Sequence, residues 1–114
     1  MKIDTDKKGL EALFPPYQID ALRVVFGAKG GVSSRELWNA VKARGHSISR
    51  ATIINFGTDM VNEGIFEDRK ITGKGGYRAV YYPKMTPAGL TEYALAKTMT
   101  SLQQAFADKD WWMK

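Results

Sequence analysis

Residues 65–82 hold two runs of alternating polarity on either side of Gly73-Lys74-Gly75-Gly76. Ile65, Glu67, Arg69 and Ile71 alternate with Phe66, Asp68, Lys70 and Thr72; beyond the glycines, Tyr77, Ala79 and Tyr81 alternate with Arg78, Val80 and Tyr82. A period of two flanking residues that accept positive φ predicts a β-hairpin. The competing reading is a phosphate-binding loop, which needs G-x-x-x-x-G-K-[ST]. Asp68 stands where the first glycine belongs and Gly75 where the hydroxyl belongs, so that reading fails at two defining positions. A hairpin is marginal on its own in water, and the segments around it read as helices.

Pro15-Pro16 suits the entry to a helix, and Ile19, Leu22, Val25 and Phe26 give it an apolar face over about 16–27. Gly27-Ala28-Lys29-Gly30-Gly31 ends it, and Val32 is expected in a short strand or bridge. Ser33 and Glu36 have capping-box spacing, which predicts a second helix to about Arg44 with Gly45 as its stop. Ser49 caps a third helix, Ile48 and Ile53 can staple its first turn, and Gly64 ends it. Ile53, Phe56 and Met60 mark its inner face. Gly57 falls on that face where a large aliphatic is expected, at a cost of about 1 kcal/mol relative to alanine. Either a neighbouring aromatic fills the space or the helix is locally weak. Thr86-Pro87 opens a long fourth helix, on which Leu95, Met99, Leu102 and Phe106 recur at 4-3-4 spacing as an a/d seam.

The chain has 114 residues, enough for one domain with one appended element, and a net charge of +5. The excess sits in the middle. Residues 17–64 hold six basic and four acidic residues and residues 65–85 hold five and two, whereas the two ends balance. Segregated positive charge suits a nucleic-acid partner. Without cysteine there is no disulfide scaffold, thiolate metal site or thiol nucleophile. One histidine, no metal-ligand spacing and no nucleophile motif argue against an enzyme and against a cofactor. No apolar run reaches membrane-spanning length and the first residues lack a signal-peptide core, so no membrane partner is expected.

The order helix, short strand, helix, tight turn, helix, hairpin is that of a winged helix. The stretch VSSRELWNAVKARGHSISRATIINFGTDMVNEGIFEDRKITGKGGYRAVYY resembles the winged-helix regulators of the penicillinase-repressor (BlaI/MecI/CopY) family and, more loosely, those of the MarR type. Ser49, Thr52, Ile53, Gly64 and Phe66 carry the resemblance, and YYPKMTPAGLTEY is similar to the segment that opens the helix after the wing. The cysteine clusters of copper-responsive members are missing, as is a recognisable C-terminal cleavage sequence. The resemblance implies a fold that is α+β and mostly α: a winged helix-turn-helix with a long C-terminal helix for dimerisation. It implies a sequence-specific transcriptional regulator of double-stranded DNA, a cytoplasmic, nucleoid-associated homodimeric repressor.

The division expected is an N-terminal extension over 1–15, a DNA-binding domain over 16–85 and a dimerisation helix over 86–114. With Ile53, Phe56 and Met60 inward, Arg50, Ala51, Ile54, Asn55 and Thr58 face outward; Arg suits guanine, Asn suits adenine, and Ala or Ile suits a thymine methyl. Thr52 lies in the same opening turn. Ser33, Ser34, Ser47 and Ser49 are placed at helix starts, where hydroxyls and amides hold phosphates. Arg69, Lys70, Lys74 and Arg78 are expected to meet the backbone from the hairpin. Leu95, Met99, Leu102, Phe106, Trp111 and Trp112 are the candidate dimer contacts. Trp38 is expected in the core and His46 in a surface turn. A small-molecule effector pocket near the fourth helix is compatible with the sequence, though nothing in it names the ligand. The alternative reading is a protein-interaction module of a transcription or chromosome assembly, which has no need of positive charge on the third helix and hairpin.

Overall fold

A computed structural model of the chain describes residues 10, 13–73, 76–107 and 113, with side chains except at 71–78. The elements are α1 (Pro16–Gly27), β1 (Val32–Ser33), α2 (Ser34–Ala43), α3 (Arg50–Asn62), β2 (Phe66–Gly73), β3 (Gly76–Pro83) and α4 (Pro87–Ala105). The fold is α+β and mostly helical, with one antiparallel sheet in the order β1-β3-β2.

The helix boundaries follow from local chemistry. Ser33 Oγ accepts from Glu36 N at 3.1 Å, Ser49 Oγ from Thr52 N at 3.1 Å and Thr86 Oγ1 from Gly89 N at 3.0 Å, each satisfying an amide that its helix leaves unpaired. Gly45 and Gly64, at φ 95° and 78°, take the left-handed conformation that stops a helix. After α3 the stop is complete: Gly64 N donates to Val61 O at 3.0 Å and Ile65 N to Met60 O at 2.9 Å. The chain therefore leaves α3 on a fixed course into β2.

β2 and β3 pair from Phe66 opposite Pro83 to Gly73 opposite Gly76, leaving Lys74 and Gly75 to span the tip, outside the described residues. β1 joins the other edge of β3, with Val32 opposite Tyr81 and Ser33 opposite Val80.

One core lies between the helices and the sheet. Ile19, Leu22 and Val25 of α1, Leu37 and Val41 of α2, Ile53, Phe56 and Met60 of α3, and Phe66 and Tyr81 of the hairpin are buried together with Leu90 of α4. Tyr17, Phe56, Phe66 and Tyr81 form a chain of ring contacts, with centroids 6.4, 6.0 and 6.0 Å apart. The missing side chain at Gly57 is explained by the last of these rings: a Cβ there would overlap Cζ and Oη of Tyr81. The aromatic expected to fill the space is thus identified, and burial raises its phenol above the ordinary range, with the charge of Asp68 adding to the effect.

The turn between α2 and α3 is held from two sides. Half-buried Trp38 donates from Nε1 to Ile48 O at 3.0 Å, with Lys42 Nζ 3.5 Å over its ring. On the other side Asp20 of α1 receives His46 Nε2 at 2.6 Å, Arg23 Nη1 at 3.0 Å and Arg44 Nη1 at 3.2 Å. His46 therefore does more than occupy a surface turn. Its hydrogen bond is the largest cause of a lowered Asp20 pKa, with smaller contributions from Arg23 and Arg44 against an opposing effect of burial.

Among the described residues, the buried side chains of α4 lie in its first half. Leu90 and Ala94 are its buried residues, and Lys97 Nζ reaches Glu63 Oε1 at 2.6 Å at the end of α3. That bond is the main reason the Lys97 pKa is raised.

Two outcomes follow. Gly57→Ala should destabilise the protein by about 1–2 kcal/mol, because forcing a methyl against Tyr81 outweighs the helix propensity it adds; calorimetry showing a stabilised variant would remove Tyr81 from that site. Asp20 has a lowered folded pKa, so its contribution is complete above its ordinary value of 3.8 and is lost as pH falls below it through the folded value. Asp20→Asn should therefore cost about 1–2 kcal/mol at neutral pH and flatten the acid limb of a urea-stability profile. Equal slopes for both proteins would show that the carboxylate gains nothing from folding.

Candidate nucleic-acid interface

α3 buries Ile53, Phe56, Gly57 and Met60, so the opposite side of the helix is presented to solvent. Arg50, Ala51, Ile54, Asn55 and Thr58 are all exposed there, as the period of the helix requires. Ile54 is 39% exposed, a large aliphatic turned to water in the middle of a polar face. Arg50 and Asn55 make no hydrogen bond or ion pair with another described residue. Thr58 donates back to Ile54 O at 3.0 Å and keeps its lone pairs for an outside donor.

Ser47 and Ser49 are exposed at the amino end of this helix, where unpaired amides and the helix dipole favour an anion. Ser49 Oγ also lies 2.9 Å from the hydroxyl of half-buried Thr52, so the two act as one small polar unit.

Ser33 and Ser34 depart from expectation. Ser33 is 1% exposed and Ser34 is also buried. The cause is the pairing of β1 with β3, which sets Ser33 opposite Val80 and tucks the start of α2 against the sheet. Ser33 spends its hydroxyl on the α2 cap, and neither serine presents a hydroxyl surface to a phosphate.

The hairpin distributes its cations between two faces. Phe66, Asp68 and Lys70 share the face that carries Tyr81 into the core beside α3, whereas Arg69 shares the other face with Val80 and Tyr82. By register Arg78, opposite Ile71, falls on the Arg69 face; its side chain and all of Lys74 lie outside what is described. Arg69 is already engaged: its guanidinium stands 4.4 Å over the ring of Tyr82 and its Nε is 3.5 Å from Glu67 Oε1. Lys70 is exposed, without a partner among the described residues, and on the α3 side of the sheet.

Leu95, Met99, Leu102 and Phe106 are all exposed, from 43% at Leu102 to 76% at Phe106, while Trp111 and Trp112 lie outside the described residues. Among the described residues no group of three or more acids and histidines gathers for a metal ion, and no helix is long and apolar enough to cross a membrane.

The Asp20 clamp is the feature that sequence reasoning passed over. It fixes the turn that aims α3, and its partners are 24 and 26 residues away in Arg44 and His46, beyond the reach of any local pattern.

Chemically, the face of α3 combines a fixed fork of donors, an amide with both donor and acceptor, and apolar groups of methyl-contact size. With exposed Ser47 and the exposed capping hydroxyl of Ser49 at one end and Lys70 at the flank, it suits a grooved polyanion with readable edges. No family model, curated protein or solved structure matches this chain.

Proposed function

We propose that the chain is a winged-helix transcriptional regulator of the penicillinase-repressor kind, a homodimer that binds double-stranded DNA in a sequence-dependent way. α3 is the recognition helix, lying in the major groove with Arg50, Ala51, Ile54 and Asn55 towards base edges. The β2–β3 hairpin is the wing, and Lys70 and Lys74 meet the adjacent phosphate backbone. Ser47, Ser49 and the amides they flank take a phosphate at the start of α3.

The observation that carries the reading is the exposed triad of Arg50, Ile54 and Asn55 on the side of α3 opposite its core residues. Two polar groups without partners among the described residues and one exposed aliphatic are a poor solvated surface and a good base-reading one, since Arg and Asn form bidentate pairs with guanine and adenine and an aliphatic covers a thymine methyl. The concentration of positive charge in residues 17–85 supports the same partner. A protein-interaction module would use this face equally on any oligomeric partner but would not discriminate among DNA sequences.

Selection from a pool of random duplexes supplies the test, because the preferred site emerges from the selection itself. On that site Arg50→Ala or Asn55→Ala should lose tenfold or more per half-site, corresponding to about 1–3 kcal/mol, while binding to random DNA changes much less. Both melting curves should match the parent. Equal losses on both DNAs would reduce the residues to phosphate clamps, and a pool that never converges would refute sequence-specific recognition.

The hairpin lysines should behave differently. Lys70→Ala and Lys74→Ala should each flatten the dependence of log affinity on log salt by up to about one unit per monomer, on specific and random DNA alike. Unchanged slopes in a salt titration would place the hairpin away from the backbone.

A further inference from the structure

α3 carries two charged side chains, Arg50 at its start and Asp59 in its last turn. The positive surplus of the chain therefore lies outside this helix, and one of the helix's own charges has the sign that a phosphate repels. Asp59 is also costly to the fold. The last turn of a helix presents unpaired carbonyls and the negative end of its dipole, so an acid there is unfavourable, and that turn of α3 holds no base to offset it. Neighbouring acids have a local use: Glu36 stands in the first turn of α2, where its charge suits the dipole, and Glu63 and Glu67 hold Lys97 and Arg69. Asp59 is exposed, and its carboxylate makes no hydrogen bond or ion pair with another described residue.

Its place on the helix says what it faces. Asp59 follows exposed Asn55 by four residues and lies in the same row on the outward side. At about 1.5 Å per residue the two stand about 6 Å apart along the axis, close to two base-pair steps of about 3.4 Å. β2 leaves the end of α3 through Gly64, and Tyr81 on the next strand packs against Gly57, so the hairpin lies beside the second half of the helix. A hairpin in contact with a duplex therefore keeps that half of α3 near the groove. An ionised carboxylate offers acceptors and no donor. In the major groove adenine sets its N6 donor beside its own N7 acceptor, which repels a carboxylate and suits the amide of Asn, whereas cytosine presents the N4 donor without an acceptor on the same base.

We propose that Asp59 is a specificity-determining residue of the α3 face, its carboxylate accepting from the N4 amino group of a cytosine about two base pairs from the adenine met by Asn55. This rests on the DNA-binding function proposed above and adds to it one required base and a penalty on sequences that lack it. Without the cytosine, a charge that loses its water against the duplex is left unpaired and is repelled by the phosphates, so Asp59 weakens binding to random DNA.

Selection from random duplexes with the parent and with Asp59→Asn and Asp59→Ala tests the assignment. The parent's site should contain a fixed cytosine. Asp59→Asn should select adenine at that one position and leave the others unchanged, and Asp59→Ala should lose the preference there without gaining another. On the parent's site both variants should bind about tenfold weaker, and on random DNA several-fold tighter, because a repulsion is gone. Both should melt no lower than the parent, since removing an acid from the end of a helix relieves the dipole. Equal gains on the two DNAs would overturn the proposal and make Asp59 an electrostatic brake alone. One site selected by all three proteins would refute the role of Asp59 and leave the sequence-specific regulator standing, whereas a parent pool that never converges would refute both.

Discussion

The ring of Tyr81 rests on the one residue of the α3 inner face that has no side chain. Because β3 carries Tyr81 and α3 carries Gly57, this contact sets how closely the hairpin approaches the helix. The rings of Phe66, Phe56 and Tyr17 continue the same packing through α3 to α1. Close-packed interiors resist small displacements, and a side chain larger than hydrogen at position 57 would have to push the two elements apart. The distance between the face of α3 that carries Arg50 and Asn55 and the strand that carries Lys70 is set by this contact.

A surface proposed to read base edges has to be held by something it does not itself contact. Here α3 is held at its inner face by the core, at its carboxyl end by the glycine stop into β2, and before its amino end by Trp38 and Asp20. Arg23 and Arg44 are exposed and contribute little individually, so the half-buried His46 bond is the principal tie between α1 and that turn. The division of hairpin cations has a matching consequence. Arg69, engaged with Glu67 and Tyr82, stiffens the hairpin, whereas Lys70 is left on the α3 side to add charge where the helix presents its polar face.

Much of this fold is legible in the sequence because it is local. Ser33, Ser49 and Thr86 cap helices by bonds that span three residues, and Gly45 and Gly64 end them through their own backbone angles. The hairpin follows from alternation about a glycine cluster, and Gly57 on an apolar face announces a large neighbour without naming it. What pairing and long-range contact decide was not legible. The two residues of β1 are too short to show a pattern, yet their pairing with β3 buries Ser33 and Ser34 and removes them from the candidate surface. The Asp20–His46 bond joins residues whose individual surroundings suggest only solvent. The outward exposure of Arg50, Ile54 and Asn55 follows from period alone, since a helix with one buried side has only one other side to offer.

The central claim is that the outward face of α3, flanked by the hairpin, is the surface that meets DNA. Backbone amide shifts of the isotopically labelled chain, followed as a short mixed-sequence duplex is added at low salt, test it with DNA of any sequence. Perturbations should concentrate from Ser47 to Thr58 and at Lys70, with the outer half of α4 unaffected. Perturbations confined to α1 and α4, or none at all under conditions where any basic groove binds a duplex, would contradict it.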